Sequence, residues 1–455
     1  MKITVCVRQT SDGEINPFDA CAYEAALSIP GAEITLLSMA PLKSREFLSG
    51  LTRLGAKQAV LLSDTAFAGA DTLATAYTLS LAVKKLEPDL IICGRQTVDG
   101  DTGQVGPELA EMTGFKLITN VMELSADESG ISCKTRSGES VNTAYPALIT
   151  VERINDLRLP SIRSKMSETI IWNAAELHAD ISRCGLVGSP TRVIKTFENE
   201  QDRRRCRFID FSELEKVVKK SLLKQRVSVK PSAAGEKLKN VWIMGGSPRD
   251  MAETVSDDIT VIPLEMTDKL PEMIKQQKPS AVLWGSDNLS KSAAARTAAK
   301  LKLGLCADCT VLETDGQELF MYRPAFSGSI IAKIRSETVP AMATVRTAEK
   351  GGAAVVIGAG MGARHSLNKI KELAEKFSAD TVATRLMVDN DYFPYEKQVG
   401  LTGKTISPDV YIAVGISGAV HHIAGIKNSG TIIAVNRDKD APIFKYADYG
   451  VVYEL

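Results

Sequence analysis

The stretch "PDLIICG", Pro88–Gly94, is a short apolar run held between a proline and a glycine, and it has an echo. The echo is "PSAVLWG", Pro279–Gly285. A second pair follows in the same order, "PALITVER" from Pro146 and "PAMATVRT" from Pro340, and the offsets within the two pairs are 191 and 194 residues. Short unbroken runs of this kind read as strands buried on both faces of a parallel sheet. In each copy a helical segment lies between the two runs. It is followed by a turn-bearing segment that reads as a hairpin, "SADESGISCKT" (125–135) in one copy and "ETDGQELFMYR" (313–323) in the other. One fold is therefore expected twice, with the copies packed about a pseudo-two-fold axis.

The sequence around these runs has the same character. "ITVCV", "ITLLS", "AVLLS" and "ALITV" alternate with helix-like stretches such as "TLATAYTLSLAVKKL". That alternation predicts an α/β protein with doubly wound, mostly parallel sheets. Between the copies the composition changes. "NEQDRRRCR" is charged, "FSELEKVVKKSLLKQ" reads as an amphipathic helix with Ser212 as its N-cap, and "VKPSAAGEK" reads as a linker. After Arg346 there is no third copy, and "KGGAAVVIGAGMGARHSLNKIKELAEKF" opens a further α/β unit of flavodoxin or Rossmann type. The expected divisions are 1–185, an arm and linker over 186–235, a second copy over 236–346, and a C-terminal domain over 347–455.

Composition narrows the function classes. The 455 residues hold 55 Lys+Arg and 55 Asp+Glu, so the basic surplus needed for nonspecific binding to nucleic acid or anionic membranes is missing. No run has the length of a membrane span, and "MKITVCVRQT" lacks the form of a secretory signal. The eight cysteines are scattered and lie mostly beside apolar residues, as reduced thiols of a cytoplasmic protein do. "CADC", Cys306–Cys309, is the one CxxC and has no second pair to complete a zinc site, so no metal is expected.

Candidate chemistry gathers in the C-terminal domain. "VVIGAGMGA" carries Gly358, Gly360 and Ala363 in the G-x-G-x-x-G/A pattern, with Asp380 standing 22 residues after Gly358. Such a loop lets a pyrophosphate rest on a helix N-terminus, and the acid then meets the ribose. A tight strand–helix turn is the other reading of the same glycines. "QVGLTGK" (398–404), "DVYIAVGISGAVHHIAG" (409–425) and the strand ending at Asn436 add three polar loops after strands. Together they point to one elongated ligand at the carboxyl edge of a sheet. Two of the four histidines, His421 and His422, sit side by side here. Adjacent histidines without partners make a poor metal site.

These residues carry a resemblance. "ATRLMVD", "QVGLTGK", "YIAVGISGAVHHIAGIKNS" and "IIAVNRDKDAPIFKYADYGVV" resemble the flavin domain of electron-transfer flavoprotein alpha subunits. Residues 236–346, with "RPAFSGSIIAKI", resemble that subunit's N-terminal domain. Residues 1 to about 220 resemble the beta subunit, through "INPFDACAYEAAL", "GADTLATAYTLSLAVKKL", "CGRQTVDGDTGQVGPELAE" and "GLVGSPTRV". The whole chain thus resembles a beta–alpha fusion. The resemblance implies non-covalent FAD contacted by Thr384, Arg385, Val399, Gly400, Leu401, Thr402, Ser417, Gly418, Ala419, Val420, His421, His422, Asn436, Glu454 and Leu455. It places Arg385 over the isoalloxazine, Thr402 near N5, and His422 at the N1 and C2-carbonyl end. A cation or strong donor there raises the potential of the first electron. The sequence departs from relatives at Met361, where an Arg is common, with Arg364 three residues on. It departs again at Leu401 and His421, where relatives often have Gln.

The resemblance also implies a second nucleotide, AMP or FAD, at Cys6, Asn16, Pro17, Phe18, Asp19, Met39, Asp101, Thr102, Gly103, Gln104, Val105 and Gly106. The wording "DTLAT" with "DGDTGQVGP" leans to FAD. The short link "SDGE" between "VRQT" and "INPFD", where relatives have a long hairpin, tells against NAD-linked bifurcation. "ERINDLRLPSIRSKMSE" aligns with a partner-docking loop and places Leu159 at its tip. The function implied is an electron carrier rather than a substrate-converting enzyme. It would take electrons from a flavin dehydrogenase of the acyl-CoA dehydrogenase type and pass them to another redox partner. An NADH-oxidising, electron-bifurcating flavoprotein with two FAD, which would be an oxidoreductase, is the alternative. An NAD(P)-dependent dehydrogenase built on "GAGMGA" stands behind both. No Ser-His-Asp or Cys-His arrangement argues for hydrolytic chemistry.

Overall fold

The computed structural model describes residues 1–455 except 128, 153–154, 199–203, 226–235, 247, 326–329, 347–352, 401–402, 405, 428 and 454–455. The chain divides into two compact units. One comprises Met1–Phe197, Ala233–Phe326 and Ile330–Thr347, and the other Glu198–Ser232, Ser327–Ser329 and Ala348–Leu455.

The first unit holds both copies of the repeat. In the first copy nine strands run in the order Ser140–Thr143, Ile131–Thr135, Lys116–Ala126, Ala147–Val151, Leu90–Gly94, Lys2–Cys6, Glu33–Met39, Gln58–Leu62, Thr169–Trp172. In the second, five strands run Leu305–Cys309, Ala341–Val345, Ala281–Trp284, Val241–Met244, Ile259–Ile262. The five match the third to seventh strands of the nine, member for member and in the same order. Side chains alternate across each strand, so an apolar run serves two cores at once. Leu90 and Ile92 enter one cluster while Ile91 and Cys93 enter the other. In the second copy Ala281 and Leu283 face one way and Val282 and Trp284 the other.

The copies agree down to an irregularity. Asn120 and Asp308 both have φ 56° at a shift of strand register. The Asn120 N–H donates to Thr150 Oγ1 at 3.1 Å, and the Asp308 N–H donates to Thr344 Oγ1 at 2.9 Å. The two expected hairpins are present, Lys116–Ala126 with Ile131–Thr135 and Val311–Thr314 with Leu319–Ala325. Equivalent helices of the copies, Val105–Thr113 and Asn288–Leu301, pack against each other, as a pseudo-two-fold requires. Strand Thr191–Glu198 leaves the first sheet and edges the antiparallel sheet of the second copy, beside Ile330–Ser336. Asp71 fixes that crossing. One of its oxygens caps helix Thr72–Leu86 at the Ala74 N–H, and the other accepts from the Thr191 N–H at 3.0 Å.

The second unit is a six-stranded parallel sheet in the order Arg207–Phe208, Tyr449–Val452, Thr431–Asn436, Val410–Val414, Val355–Ala359, Asp380–Ala383. Because every strand runs the same way, all carboxyl ends meet at one edge. The first strand and helix Leu214–Gln225 come from the charged segment between the copies, and Leu214 and Val218 enter the core with Ile357 and Ile412. Ser212 does not cap this helix. A 3-10 turn over Phe211–Glu213 begins it, and the Asp210 N–H donates to Glu213 Oε2 at 3.4 Å, so the start lies earlier than expected.

Candidate functional site

The glycines of "GAGMGA" are consumed by packing. A Cβ on Gly358 would overlap the Tyr411 hydroxyl, and one on Gly360 would overlap the Gly415 carbonyl. On Gly362 it would lie 2.8 Å from the same oxygen. The loop is thus bare so that the strand and loop of residues 411–416 can lie on it. After the strand comes a 3-10 turn, Met361–Ala363, and the helix begins only at Leu367. Asp380 opens its strand opposite Val356, at the end of the sheet away from these loops. The dinucleotide-loop reading is therefore corrected: the pattern is the tight strand–helix turn, and Asp380 is not placed to meet a ribose at this edge. Arg364, the proposed substitute cation, is exposed and donates to the Met361 carbonyl at 3.1 Å.

The expected FAD residues that the structure describes do meet at the carboxyl edge. Thr384 stands just before the short helix Arg385–Asp389, and its N–H donates to the Ala359 carbonyl. Arg385 is half-buried, with Nε 3.1 Å from Asp389 Oδ2. Val399 N–H donates to the Ala383 carbonyl, and Gly400 N–H to the Lys404 carbonyl. Gly415, Gly418 and Gly400 have φ of 64°, 96° and 140°, conformations that only glycine adopts freely. Ser417 and Ala419 are exposed, and Ile443 N–H donates to the Ser417 carbonyl. Asn436 Nδ2 donates to the Ile416 carbonyl at 2.9 Å and so fixes the loop. Val420 begins helix Val420–Ile426. Leu401, Thr402, Glu454 and Leu455 lie outside the described residues.

The two histidines part company. His421 is exposed. His422 is buried, with Nδ1 3.1 Å from the Val399 carbonyl and Nε2 2.9 Å from the Tyr411 hydroxyl. Burial pulls its pKa down from 6.5 to about 4, against the bond to Val399, so the ring is neutral at pH 7. Both ring nitrogens are thus engaged by groups of the protein itself. Tyr411, which the sequence presents as one more apolar strand residue, went unnoticed as its partner.

In the first unit the expected second-nucleotide residues gather at the ends of strands Lys2–Cys6, Glu33–Met39 and Leu90–Gly94. Cys6, Met39, Pro17, Asp101, Thr102, Gly103 and Val105 are half-buried, with Asp101 and Gly103 at φ 51° and 65°. Asn16, Phe18, Asp19, Gln104 and Gly106 are buried. Asn16 braces the loop by donating to the Gln96 carbonyl at 2.9 Å and accepting from the Val98 N–H at 3.2 Å. Asp19 accepts from the Arg8 N–H at 2.9 Å. Burial outweighs the bonds it receives and raises its pKa to about 7. A Cβ on Gly94 would overlap Asp19, and one on Gly106 would lie 2.6 Å from Thr150 Cγ2. The second copy supplies part of the frame, because Arg323 donates to the carbonyls of Ala307 at 2.8 Å and Gly100 at 2.7 Å. Gln104 Nε2 donates to the Leu305 carbonyl at 3.4 Å.

The corresponding edge of the second copy is closed by charge. Asp308 is 2.9 Å from Lys291 Nζ and 3.4 Å from Arg346 Nη2. Burial alone would raise its pKa, but these cations hold it down at about 2. The copies are thus alike in frame and unlike in what their edges present.

Residues 3–176 and again 254–375 match the electron transfer flavoprotein domain, and residues 349–427 match the electron transfer flavoprotein FAD-binding domain. This chain belongs to the electron transfer flavoprotein family. Its first half is similar to the electron transfer flavoprotein beta subunit of Clostridium acetobutylicum, 36% identical over 44% of this chain and 89% of the relative. It is also similar to protein FixA of Azorhizobium caulinodans, 37% identical over 47% of this chain and 90% of the relative. A region of this chain is similar to the alpha subunit of Thermoanaerobacterium thermosaccharolyticum, 36% identical over 41% of this chain and 70% of the relative. Both kinds of subunit are thus represented in one flavoprotein chain, the beta-like half first.

The chain carries the family's FAD-binding domain, and its geometry fits the group. An elongated ligand with a polar chain and a flat ring needs bare backbone for close approach and a few polar side chains for orientation. The edge offers Gly415, Gly418 and Gly400 beside Thr384, Arg385 and His421. Among the described residues no helix is long and apolar enough to cross a membrane. Leu159 is 90% exposed and Ile162 is 97% exposed. Arg158 anchors their loop, its backbone N–H and its Nε each 3.0 Å from Glu24. A feature the sequence hid is Glu108. It is buried, its Oε1 lies 3.0 Å from Thr72 Oγ1, and burial beside Asp71 raises its pKa well above the usual range.

Proposed function

We propose that this flavoprotein is a single-chain electron carrier. It would hold FAD at the carboxyl edge of the second unit and shuttle electrons from a flavin dehydrogenase, of the acyl-CoA dehydrogenase type, to a second redox partner. The observation that carries the reading is the meeting of Thr384, Arg385, Gly400, Ser417–Ala419, His421 and Asn436 at one sheet edge within a domain of the FAD-binding family. Bound FAD would supply reversible one- and two-electron chemistry. The chain's own residues would orient it: Arg385 and His421 offer polar groups, and the glycines admit its backbone contacts. A second nucleotide, with FAD favoured over AMP, would sit against Cys6, Met39 and the loop Asp101–Gln104, where Asn16 and Asp19 brace the frame rather than touch the ligand. Leu159 would dock the donor dehydrogenase.

One observation supports electron bifurcation as the second reading. The subunit LctC of the lactate dehydrogenase (NAD(+),ferredoxin) of Acetobacterium woodii is 37% identical over 41% of this chain and 55% of the relative. An NAD(P)-dependent dehydrogenase built on "GAGMGA" loses its basis, because those glycines are spent on packing. The deciding experiment releases the nucleotides by denaturation and counts them per chain, with an anaerobic NADH titration alongside. One FAD with AMP and no bleaching establishes the simple carrier. Two FAD with bleaching by NADH establishes bifurcation. A colourless chain that FAD cannot reconstitute overturns both.

A further inference from the structure

We infer that Glu108 is a positioning residue for the second nucleotide site: a neutral carboxylic acid whose hydrogen bond, relayed through Thr72 to Gln104, holds the loop Asp101–Gln104 against the second copy. The inference rests on the second-nucleotide reading only for what the loop is held to meet. Gln104 precedes helix Val105–Thr113, and Glu108 stands one turn on, at i+4, so the two side chains share a face. That face meets Thr72, the first residue of helix Thr72–Leu86. Both Gln104 and Glu108 are buried.

The hydrogens can be assigned in order. Gln104 Nε2 is 3.4 Å from the Leu305 carbonyl of the second copy, which can only accept, so the amide nitrogen faces that copy. Its Oε1 therefore faces Thr72, 3.0 Å from Oγ1. Glu108 Oε1 lies at the same 3.0 Å from that hydroxyl. A hydroxyl has one hydrogen to give, and an amide oxygen has none. Thr72 therefore donates to Gln104, and its contact with Glu108 is a hydrogen bond only when the acid carries the hydrogen and Thr72 accepts it. The other oxygen of Glu108 agrees, since Oε2 is buried and meets no donor among the described residues. An ionised carboxylate placed there would be left uncompensated, which costs far more than one bare oxygen on a neutral acid.

The charges around Glu108 point the same way. Asp71, at the cap of helix Thr72–Leu86, adds a like charge. On the facing helix Asn288–Leu301, Arg296 is 2.9 Å from Glu111 and Lys291 is 2.9 Å from Asp308, so these cations answer other carboxylates. The Tyr77 hydroxyl accepts from the Asp180 N–H at 3.0 Å. Lys84, Lys85, Lys116, Glu123 and Lys300, on the elements packed against this helix, are exposed. Strand Ala147–Val151 carries no titratable side chain. Burial and Asp71 thus hold the Glu108 pKa well above the usual carboxylate range, and the relay opens as pH rises through that raised value.

The test compares the wild type with Glu108→Gln, Glu108→Ala and Thr72→Val. Glutamine keeps the shape and offers an amide hydrogen in place of the acid one. Alanine removes the donor, and valine cuts the relay. Three quantities are read: the infrared difference spectrum of wild type minus Glu108→Gln at neutral pH, the affinity for AMP and for a further equivalent of FAD once the flavin domain is filled, and amide exchange at positions 101 and 108 without a second nucleotide. Those two N–H groups donate to the Thr97 and Gln104 carbonyls, within the loop and its helix. The difference spectrum should show the carbonyl band of a protonated acid. Glu108→Gln should keep affinity and exchange within about twofold. Glu108→Ala and Thr72→Val should weaken binding and speed exchange about tenfold, as loss of one buried hydrogen bond does. Relative to unstructured amides, wild-type protection should fall at alkaline pH while that of Glu108→Gln stays flat. Absence of the acid band would overturn the inference. So would a glutamine variant as impaired as the alanine one, or one with the wild-type pH profile. Should the alanine variant not fold, the band, the glutamine profile and the valine variant still decide. A wild type that takes up neither nucleotide at this site defeats the second-nucleotide reading alone, because the band and the exchange test the relay without ligand.

Discussion

At the scale of single residues, burial gives the two units opposite pH responses. His422 has its pKa lowered from 6.5 to about 4, so the unfolded chain binds the extra proton first. Its contribution is complete above the unfolded value of 6.5 and is lost as pH falls toward 4. A shift of this size is worth roughly 3 kcal/mol at most. Asp19 runs the other way. Its pKa rises from 3.8 to about 7, so its contribution is complete below 3.8 and is lost as pH climbs through 7. Exchange of the His422 and Ile423 amides, relative to unstructured amides, should therefore speed up as pH falls from about 6.5 to about 4, and that of Arg8 and Gly94 as pH rises from about 4 to about 7. Equal responses in both units would refute the assignment. Leu159 makes a separate prediction. It is 90% exposed beside the anchored Arg158, so Leu159→Ala should leave Tm and flavin spectrum unchanged. Stopped-flow reduction by the donor dehydrogenase should slow about tenfold, the value of one apolar anchor at an interface. An unchanged rate would remove the docking role.

At the scale of elements, Thr150 and Thr344 hold the same left-handed bulge in two sheets through the same hydroxyl. Thr150→Val and Thr344→Val keep the shape and drop the acceptor, so each should cost about 1–2 kcal/mol in urea unfolding. The two sites share no partner, and the double variant should show their sum within about 0.5 kcal/mol. Gly360→Ala drives a methyl into the Gly415 carbonyl and should cost about 2–3 kcal/mol, whereas a neutral result would reopen the ligand-loop reading. The strands were legible because unbroken apolar runs such as Leu90–Gly94 and Ala281–Trp284 must face two cores, and the repeat was legible because those runs recur. What a glycine is bare for was not. Gly358, Gly360 and Gly362 satisfy a phosphate-loop pattern, yet their open sides meet Tyr411 and Gly415, which lie more than fifty positions away in sequence. The same limit hid the partners Val399 and Tyr411 that meet the inward ring of His422. The helix start near Asp210 was missed because a 3-10 turn there comes before the regular helix.

At the scale of the molecule, the order of segments along the chain differs from their grouping in space. The segment that follows the beta-like copy supplies the edge strand Arg207–Phe208, paired with Tyr449–Val452, and the helix whose Leu214 and Val218 enter the flavin-domain core. Arg204 fastens it further, with an ion pair to Asp448 and donations to the carbonyls of Lys427 at 3.2 Å and Ser429 at 2.6 Å. Phe208 meets Phe444 with ring centres 5.1 Å apart, and Phe211 stacks on Tyr453 at 4.4 Å. The segment Glu198–Ser232 is therefore held within the second unit by backbone pairing, core packing and charge. Within the first unit, helices Val105–Thr113 and Asn288–Leu301 join the copies again, with Arg296 2.9 Å from Glu111. Cutting the chain should then leave it whole. A protease site introduced between residues 226 and 235, once cleaved, should give two fragments that co-elute on size exclusion at micromolar concentration and keep their FAD. Adding Arg204→Ala and Phe208→Ala should release the flavin domain's edge strand. FAD loss should accelerate, while the two copies of the first unit still hold the fragments together through their helices. Fragments that separate on cleavage alone would show that the covalent link, not the shared sheet and core, holds the two halves.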